Sequence, residues 1–330
     1  MIDGTHPQVA EKAYDVDVII LSWNRAEDLI QAITSARDQD GLIRRILIVD
    51  QGSEPQNIER LERFIQDDPD ILLKKLGRNT GVACGRNIAT AMGHGRYIVA
   101  LDSDAIFADS TVLVRAVQHL DAHPRLGAIG FRIENYFTGE NDALSWDYPG
   151  CNPDDRFYTT RFIGAGHAIR RSAFEAVGGY DARLFFCGEE LDLAYRMLNL
   201  GFRIEYLPDI KVRHKVSPDH RIAWEHGRFF FTVRNALYTS YKFGIPTSGL
   251  CLAAMAFLVQ GAFNGLIGSA LRGTFAAIRV SVAYARSTED KSAYQLSPDT
   301  WRYIKECEPW HAEGIVSKIR RQFKKLPAKA

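Results

Sequence analysis

Two carboxylates separated by one residue, Asp102 and Asp104, follow directly on the apolar run Tyr97-Ile-Val-Ala-Leu101. Like charges this close repel unless a cation lies between them, and hard oxygen donors of this kind suit Mg2+ or Mn2+. Alone, Asp-Ser-Asp is equally the composition of a turn or a helix cap. A second acidic pair, Glu189-Glu190, opens a run with helical spacing in which Asp192 and Arg196 stand one turn apart. Carboxylates at a helix start are favoured by the helix dipole, so capping is one reading and proton abstraction is another. Asp50, ahead of Gln51-Gly-Ser53, is a turn cap or a base-recognising acceptor, and His214 is a structural histidine or a ligand.

These groups need elements that deliver them to one place. The apolar runs 16–22, 45–50, 71–76 and 97–101 have strand length, and helical spacing over 25–38, 57–67 and 81–92 separates them. Strands that are apolar throughout and alternate with helices predict an α/β fold with a mostly parallel sheet flanked by helices. In such sheets ligands bind beyond the carboxyl ends of the strands, where Ser22, Asp50 and Asp102 all fall. A helix is expected over 111–123, a strand over 126–133, a long connection over 134–160, a strand over 162–170, short helices over 172–177 and 190–200, and a strand over 202–207 ended by a Pro208-Asp209 turn. The glycines Gly164, Gly166, Gly178 and Gly179 permit close approach of a sugar or acceptor, or serve tight turns. Trp146, Tyr148, Phe157, Tyr158 and Trp224 are candidates for stacking on sugar or for the core.

The ordered set of motifs resembles family 2 glycosyltransferases of the GT-A fold, a Rossmann-like nucleotide-binding architecture. It comprises Asp50-Gln-Gly-Ser53, Asn79-Thr-Gly81, Gly85-Arg-Asn87, Asp102-Ser-Asp104, Phe162-Ile-Gly-Ala-Gly166, Gly178-Gly-Tyr-Asp181, Phe185-Phe186, Glu189-Glu190 through Arg196, and His214. The resemblance implies that Ser22, Trp23, Asn24 and Arg25 line a nucleotide pocket, with Asp50 on the base and Asn79, Arg86, Asp102 and Ser103 near the nucleotide and diphosphate. It implies a divalent ion on Asp104 with Asp102 and His214, and Glu190 as the base, where relatives usually carry Asp after Glu. Glu189 shares that role or caps the helix, Asp192 and Arg196 pair or orient the carboxylate, and Gly164, Ala165 and Gly166 face sugar or acceptor. The implied reaction is inverting transfer from a nucleoside diphosphate sugar, UDP- or dTDP-linked, to a saccharide or lipid-linked acceptor.

Composition narrows the alternatives. With 41 basic and 40 acidic residues in 330, no electrostatic footprint for nucleic acid is present. A metal-dependent nucleotidyltransferase would carry a basic Gly-rich loop after the first strand, and Ser22-Trp-Asn-Arg25 is not one; a dinucleotide enzyme would carry G-x-G-x-x-G there. A sugar-nucleotide-binding protein without catalysis is the third class. The five scattered cysteines and the polar stretch 1–15 lead us to expect a catalytic domain over 16–227 in the cytoplasm. Over 228–330 a helical region is expected: 249–269 reads as an interfacial or re-entrant helix, and the end beyond Glu313 is basic, with Lys318, Arg320, Arg321, Lys324, Lys325 and Lys329. Peripheral attachment at the inner face of the cell membrane is the corresponding expectation.

Overall fold

The computed structural model describes residues 15–41, 44–142, 145–215, 227–308, 323, 325 and 326. The N-terminal stretch, Trp224 and most of the basic end lie outside the described residues. Strand β1 (Val16–Ser22), helix α1 (Ala26–Arg37), β2 (Arg44–Asp50), α2 (Pro55–Ile65), β3 (Ile71–Lys75), α3 (Val82–Thr90) and β4 (Tyr97–Leu101) follow the expected alternation. They are succeeded by β5 (Ala105–Phe107), α4 (Val112–Ala122), β6 (Leu126–Asn135), β7 (Phe157–Thr159), β8 (Gly166–Arg170), α5 (Arg171–Ala176), α6 (Glu189–Asn199) and β9 (Arg203–His214). The chain continues through α7 (Phe229–Lys242), α8 (Thr247–Phe263), α9 (Ile267–Arg286) and α10 (Pro298–Cys307).

The sheet order is β3-β2-β1-β4-β8-β6-β9-β5, with β7 on β9, and six of the nine strands (β1, β2, β3, β4, β6 and β9) run the same way. Side-chain alternation splits each central strand between two cores. Val16, Val18 and Ile20 of β1 pack on one face with Leu29 and Ile33 of α1, while Ile19 packs on the other with Ala83 and Ala89 of α3. In β4, Tyr97, Val99 and Leu101 divide from Ile98 and Ala100 in the same way. Apolar residues on both sides therefore fix the parallel half of the sheet.

Two departures from the expected elements build the site. Strand β8 is antiparallel and sits between β4 and β6, with Gly166 opposite Leu101. Residues 163–165 therefore meet the end of β4 instead of extending a strand. The second is β9, which does not end at Pro208-Asp209. The register on β6 slips between Leu207 and Lys211, a bulge that accommodates a proline with no N–H, and pairing resumes to His214. Three aromatic residues of the long connection, Trp146, Tyr148 and Phe157, pack on one another and on Tyr206 of β9 with centroids 4.9–6.4 Å apart, while Phe137 and Tyr158 are exposed.

The C-terminal helices lock onto this core. Helices α7, α8 and α9 share a small cluster built on Phe229, Val233, Leu266 and Ala270. The segment 249–269 is not one helix, because Asn264–Leu266 with Gly265 at φ +71° separates α8 from α9. Among the described residues no helix is long and apolar enough to cross a membrane. The last turn of α7 enters the catalytic layer: Lys242 Nζ donates to Asp181 Oδ2 at 2.6 Å and to Asp192 Oδ1, and Tyr238 donates to Asp181 Oδ2 at 2.9 Å. All three charged groups are buried. Arg183 and Arg196 also pair with Asp181 and Asp192, but only Lys242 is shared by both carboxylates, so Lys242→Ala should lower stability by about 3–5 kcal/mol in urea unfolding. A loss under about 1 kcal/mol would contradict this bracing role.

Candidate active site

A cleft of about 690 Å³ opens beyond the carboxyl ends of β1 and β4. Strand β1 delivers Ser22, Trp23, Asn24 and Arg25 to its wall, with Trp23 half exposed at the lip. Asn24, at φ +55°, braces two turns: its N–H donates to Ser53 Oγ at 2.8 Å and its Oδ1 accepts the Glu54 N–H at 2.7 Å. Asp50 is spent on its own turn, accepting from the N–H groups of Gly52 and Ser53 at 3.0 Å and from the Ser53 hydroxyl, and it is not on the cleft wall. Gln51 takes that place. Its Oε1 accepts from the Thr80 N–H and hydroxyl, and its Nε2 donates to the Gly81 carbonyl at 3.1 Å, fixing the start of α3. Asn79 lines the cleft beside it and accepts the Gly81 N–H at 2.9 Å.

Asp102, Ser103 and Asp104 lie in the turn between β4 and β5, and all three line the cleft. The antiparallel pairing of Ala105 with His214 brings the histidine to Asp104, Nε2 to Oδ1 at 3.3 Å. One ligand atom each from Asp102, Asp104 and His214 falls within 4.8 Å of the others. On the far side His214 Nδ1 is 3.6 Å from Asp142 Oδ2, beyond hydrogen-bond length, and is buried without a hydrogen-bond partner among the described residues. Burial alone would lower the His214 pKa, but Asp104, Asp142 and Asp102 more than offset it and push it up to about 10. Burial works against the Asp104 carboxylate too, yet His214 and Arg25 hold its pKa below the usual range, and Arg25 Nη1 pairs with its Oδ2. The negative field that keeps a proton on His214 is one that attracts a divalent cation, and two carboxylates with an imidazole suit Mn2+ or Mg2+.

The second acidic pair is split. Helix α6 starts after Cys187 and Gly188, both in the left-handed region at φ +70° and +90°, and its first turn turns Glu190 to the cleft and Glu189 inward. Burial, then the neighbouring charges of Glu190 and Asp102, push the Glu189 carboxyl up to about 8 against the pull of Arg86. Its Oε2 is buried without a hydrogen-bond partner among the described residues.

Arg86 does not line the cleft. From α3 its buried guanidinium donates to Glu190 Oε1 at 2.6 Å, to the Gly164 carbonyl at 2.9 Å and to Asp102 Oδ1 at 3.4 Å. The ring of Tyr180 lies 5.8 Å below it. A Cβ on Gly164 would run into the Glu190 carboxylate, so a side chain there would push that carboxylate from its place. Ala165 also lines the cleft, and its carbonyl accepts the Asp102 N–H at 3.3 Å.

Gly166, Asp192 and Arg196 stand apart from the cleft. Gly166 makes room for Val212, and the Asp192–Arg196 pair exists at 2.7 Å but is buried under Lys242. Lining residues given no role of their own by sequence include Gln51, Phe185, Phe186 and Arg228. Phe185 covers Gly81 and stacks on Phe231 at 5.3 Å, and Asn235 of α7 donates to the carbonyls of Phe186 and Cys187 at 2.7 and 2.6 Å. Gln51 and the phenylalanine pair carried a sequence signal, their place in the motif series, and Arg228 carried none.

Comparison with known proteins bears on the family and the fold. The sequence model of glycosyl transferase family 2 matches residues 17–178. An N-acetylglucosaminyltransferase of Rhizobium meliloti is 30% identical over 248 residues, 66% of this chain and 56% of that protein, so the chain spans little more than half the length of that relative. Among solved structures, a mannosyltransferase from Pyrobaculum calidifontis in complex with GDP-Man and Mn2+ superposes with a TM-score of 0.57 at 17% identity, covering 95% of this chain and 86% of the other. GalNAc-T7 with UDP, GalNAc and Mn2+ gives 0.62 at 14% identity over 92% and 58%. The family match runs from β1 through the Asp102–Asp104 turn and the Gly164 loop to Gly178, and over that part the chain is a member of glycosyl transferase family 2, built on the GT-A fold.

Proposed function

We propose that this enzyme transfers a sugar from a nucleoside diphosphate donor, UDP- or dTDP-linked, to an acceptor hydroxyl with inversion, using Glu190 as the base. The observation that carries the reading is the link through Arg86, which joins a carboxylate on the cleft wall to the first residue of the Asp102–Asp104 pair. Ser22, Asn24, Gln51, Asn79, Gly164, Ala165 and Glu190 line one cleft, and in this reading the first four take the nucleotide and the last three the sugar and acceptor. Asp102, Asp104 and His214 would hold a divalent cation, which supplies Lewis-acid stabilisation for the departing diphosphate. As the acceptor oxygen attacks the anomeric carbon, its proton passes to Glu190, and the bond to the diphosphate breaks on the opposite face. One base and one leaving group suffice, and no second carboxylate is needed as a nucleophile.

Glu189 fits a different part. A buried carboxyl that stays protonated through neutral pH is a poor base and a good filler behind Glu190. The division between a catalytic domain at 16–227 and a helical region at 228–330 belongs to this reading, with Arg228 and Asn235 of the second part shaping the cleft. A saccharide or lipid-linked acceptor and attachment at the cytoplasmic face of the cell membrane complete it. The acid-free basic run after Glu313 supports the membrane placement.

Glu190→Gln keeps the size and the Arg86 contact but removes the proton acceptor, so kcat should fall by about 10²–10⁴ with donor affinity nearly unchanged. Retained turnover in that variant would place the base elsewhere. Gly164→Ala should displace the Glu190 carboxylate and cost about a hundredfold in kcat while the protein stays folded; wild-type kinetics would show that the loop has room to move. For Glu189 the raised pKa means that the folded state holds a proton which the unfolded chain releases between pH 4.5 and about 8. Its stabilising contribution is complete below pH 4.5 and is lost as pH rises through about 8. Glu189→Gln should therefore flatten the decline of melting temperature across that window. Parallel curves for variant and wild type would contradict a neutral, buried Glu189.

A further inference from the structure

Helices α8 and α9 carry an exposed apolar surface that the fold does not use. On α9, Ala270, Gly273 and Ala277 are buried on the inner side, while Ile267, Leu271, Phe275, Ile278 and Val282 recur at helical spacing on the outer side. Phe275 is 66% exposed and Ile278 56%. On α8, Leu252, Met255, Val259 and Phe263 form the matching stripe, with Met255 63% exposed, and the helix has no charged residue. The two stripes converge on the Asn264–Leu266 turn, flanked by exposed Phe263 and Ile267. Contiguous apolar surface of this kind marks an interaction site.

Charge says what covers it. No Asp or Glu occurs between Glu225 and Glu289. Within that interval Arg272, Arg279 and Arg286 follow one another at seven-residue spacing along α9, exposed beside its apolar stripe. The basic C-terminal end returns to the same place: Phe323 stacks edge-on to Phe263 at 5.8 Å, the Leu326 N–H donates to Asn264 Oδ1 at 3.0 Å, and Lys325 is exposed next to them. Apolar side chains bordered by long cations without acids complement a surface that is anionic outside and apolar beneath.

We propose that the outer face of α8 and α9 is the surface on which this protein docks to an anionic lipid bilayer. The stripe lies in the boundary between headgroups and acyl chains, parallel to the membrane, and Arg272, Arg279 and Arg286 reach the headgroup phosphates. The inference rests on the membrane placement proposed above and assigns it to particular side chains, away from the catalytic cleft.

The test is flotation of the full chain with vesicles of phosphatidylcholine alone or mixed with phosphatidylglycerol. Wild type should float with the mixed vesicles and release with salt. The combined Met255→Ser, Phe275→Ser and Ile278→Ser variant should bind at least about tenfold more weakly. Its melting temperature and its donor hydrolysis should match wild type. A variant with Lys318, Arg320, Arg321, Lys324 and Lys325 all changed to Gln should retain binding that depends on the stripe. If the serine variant floats like wild type while the tail variant does not, the membrane placement stands and the helical face is overturned as its site. If wild type floats with neither vesicle, both fall. A wild-type dimer in light scattering that the serine changes convert to monomer, without vesicle binding, would mean that a second copy of the chain covers the face.

Discussion

The site is organised around one buried cation. The Arg86 guanidinium sits where α3, the end of β4, the 163–165 loop and the start of α6 meet, and it donates to one acceptor from each of the last three. A charge so buried is tolerable only when carboxylates and carbonyls replace the water it has lost. That requirement fixes distances across four elements at once. Strand β8 must run antiparallel beside β4 so that the Gly164 carbonyl arrives, residue 164 must leave the Glu190 carboxylate its place, and Gly188 must turn α6 so that Glu190 and not Glu189 meets the arginine.

The C-terminal helices belong to the same mechanical system. Asn235 holds the carbonyls of Phe186 and Cys187 just ahead of α6, and Lys242 holds Asp192 within it. The helix that carries Glu190 is thus gripped from the face opposite the sheet. Further along, Glu308 after α10 takes hydrogen bonds from Arg161 at 2.7 Å, from the Tyr195 hydroxyl at 3.1 Å and from Thr160, fixing the approach to Phe162 and the Gly164 loop. Orientation of catalytic groups to a fraction of an ångström comes from such braces behind the cleft more than from the lining itself.

Much of this was legible in the sequence, and the reasons are local. Strands β1 to β4 fall within a residue or so of the expected limits because each is a short apolar run closed by turn residues. Asp102, Asp104 and His214 were legible as types, yet the path of His214 to Asp104 was not, since Pro208-Asp209 reads as a stop and the structure makes it a bulge. Residues 162–165 are as apolar as a strand, and hydropathy does not separate a buried loop from one. Adjacent residues on a helix point about 100° apart, so spacing alone could not decide which of Glu189 and Glu190 faces the cleft. Asp50 was given the nucleotide role by its place in the motif series and its acceptor-only carboxylate, and the neighbouring Gln51 is the residue that lines the wall. Arg86, Asn235 and Lys242 act through partners distant in sequence, which no local pattern encodes.

The central claim is that a cation held by Asp102, Asp104 and His214 activates a nucleoside diphosphate sugar for attack assisted by Glu190. The most direct measurement is the rate of nucleoside diphosphate release from UDP- and dTDP-linked sugars by the metal-stripped protein, first with Mn2+ added and then with excess chelator. The account predicts release that appears with Mn2+ and stops with chelator. Release at an undiminished rate in excess chelator would contradict it.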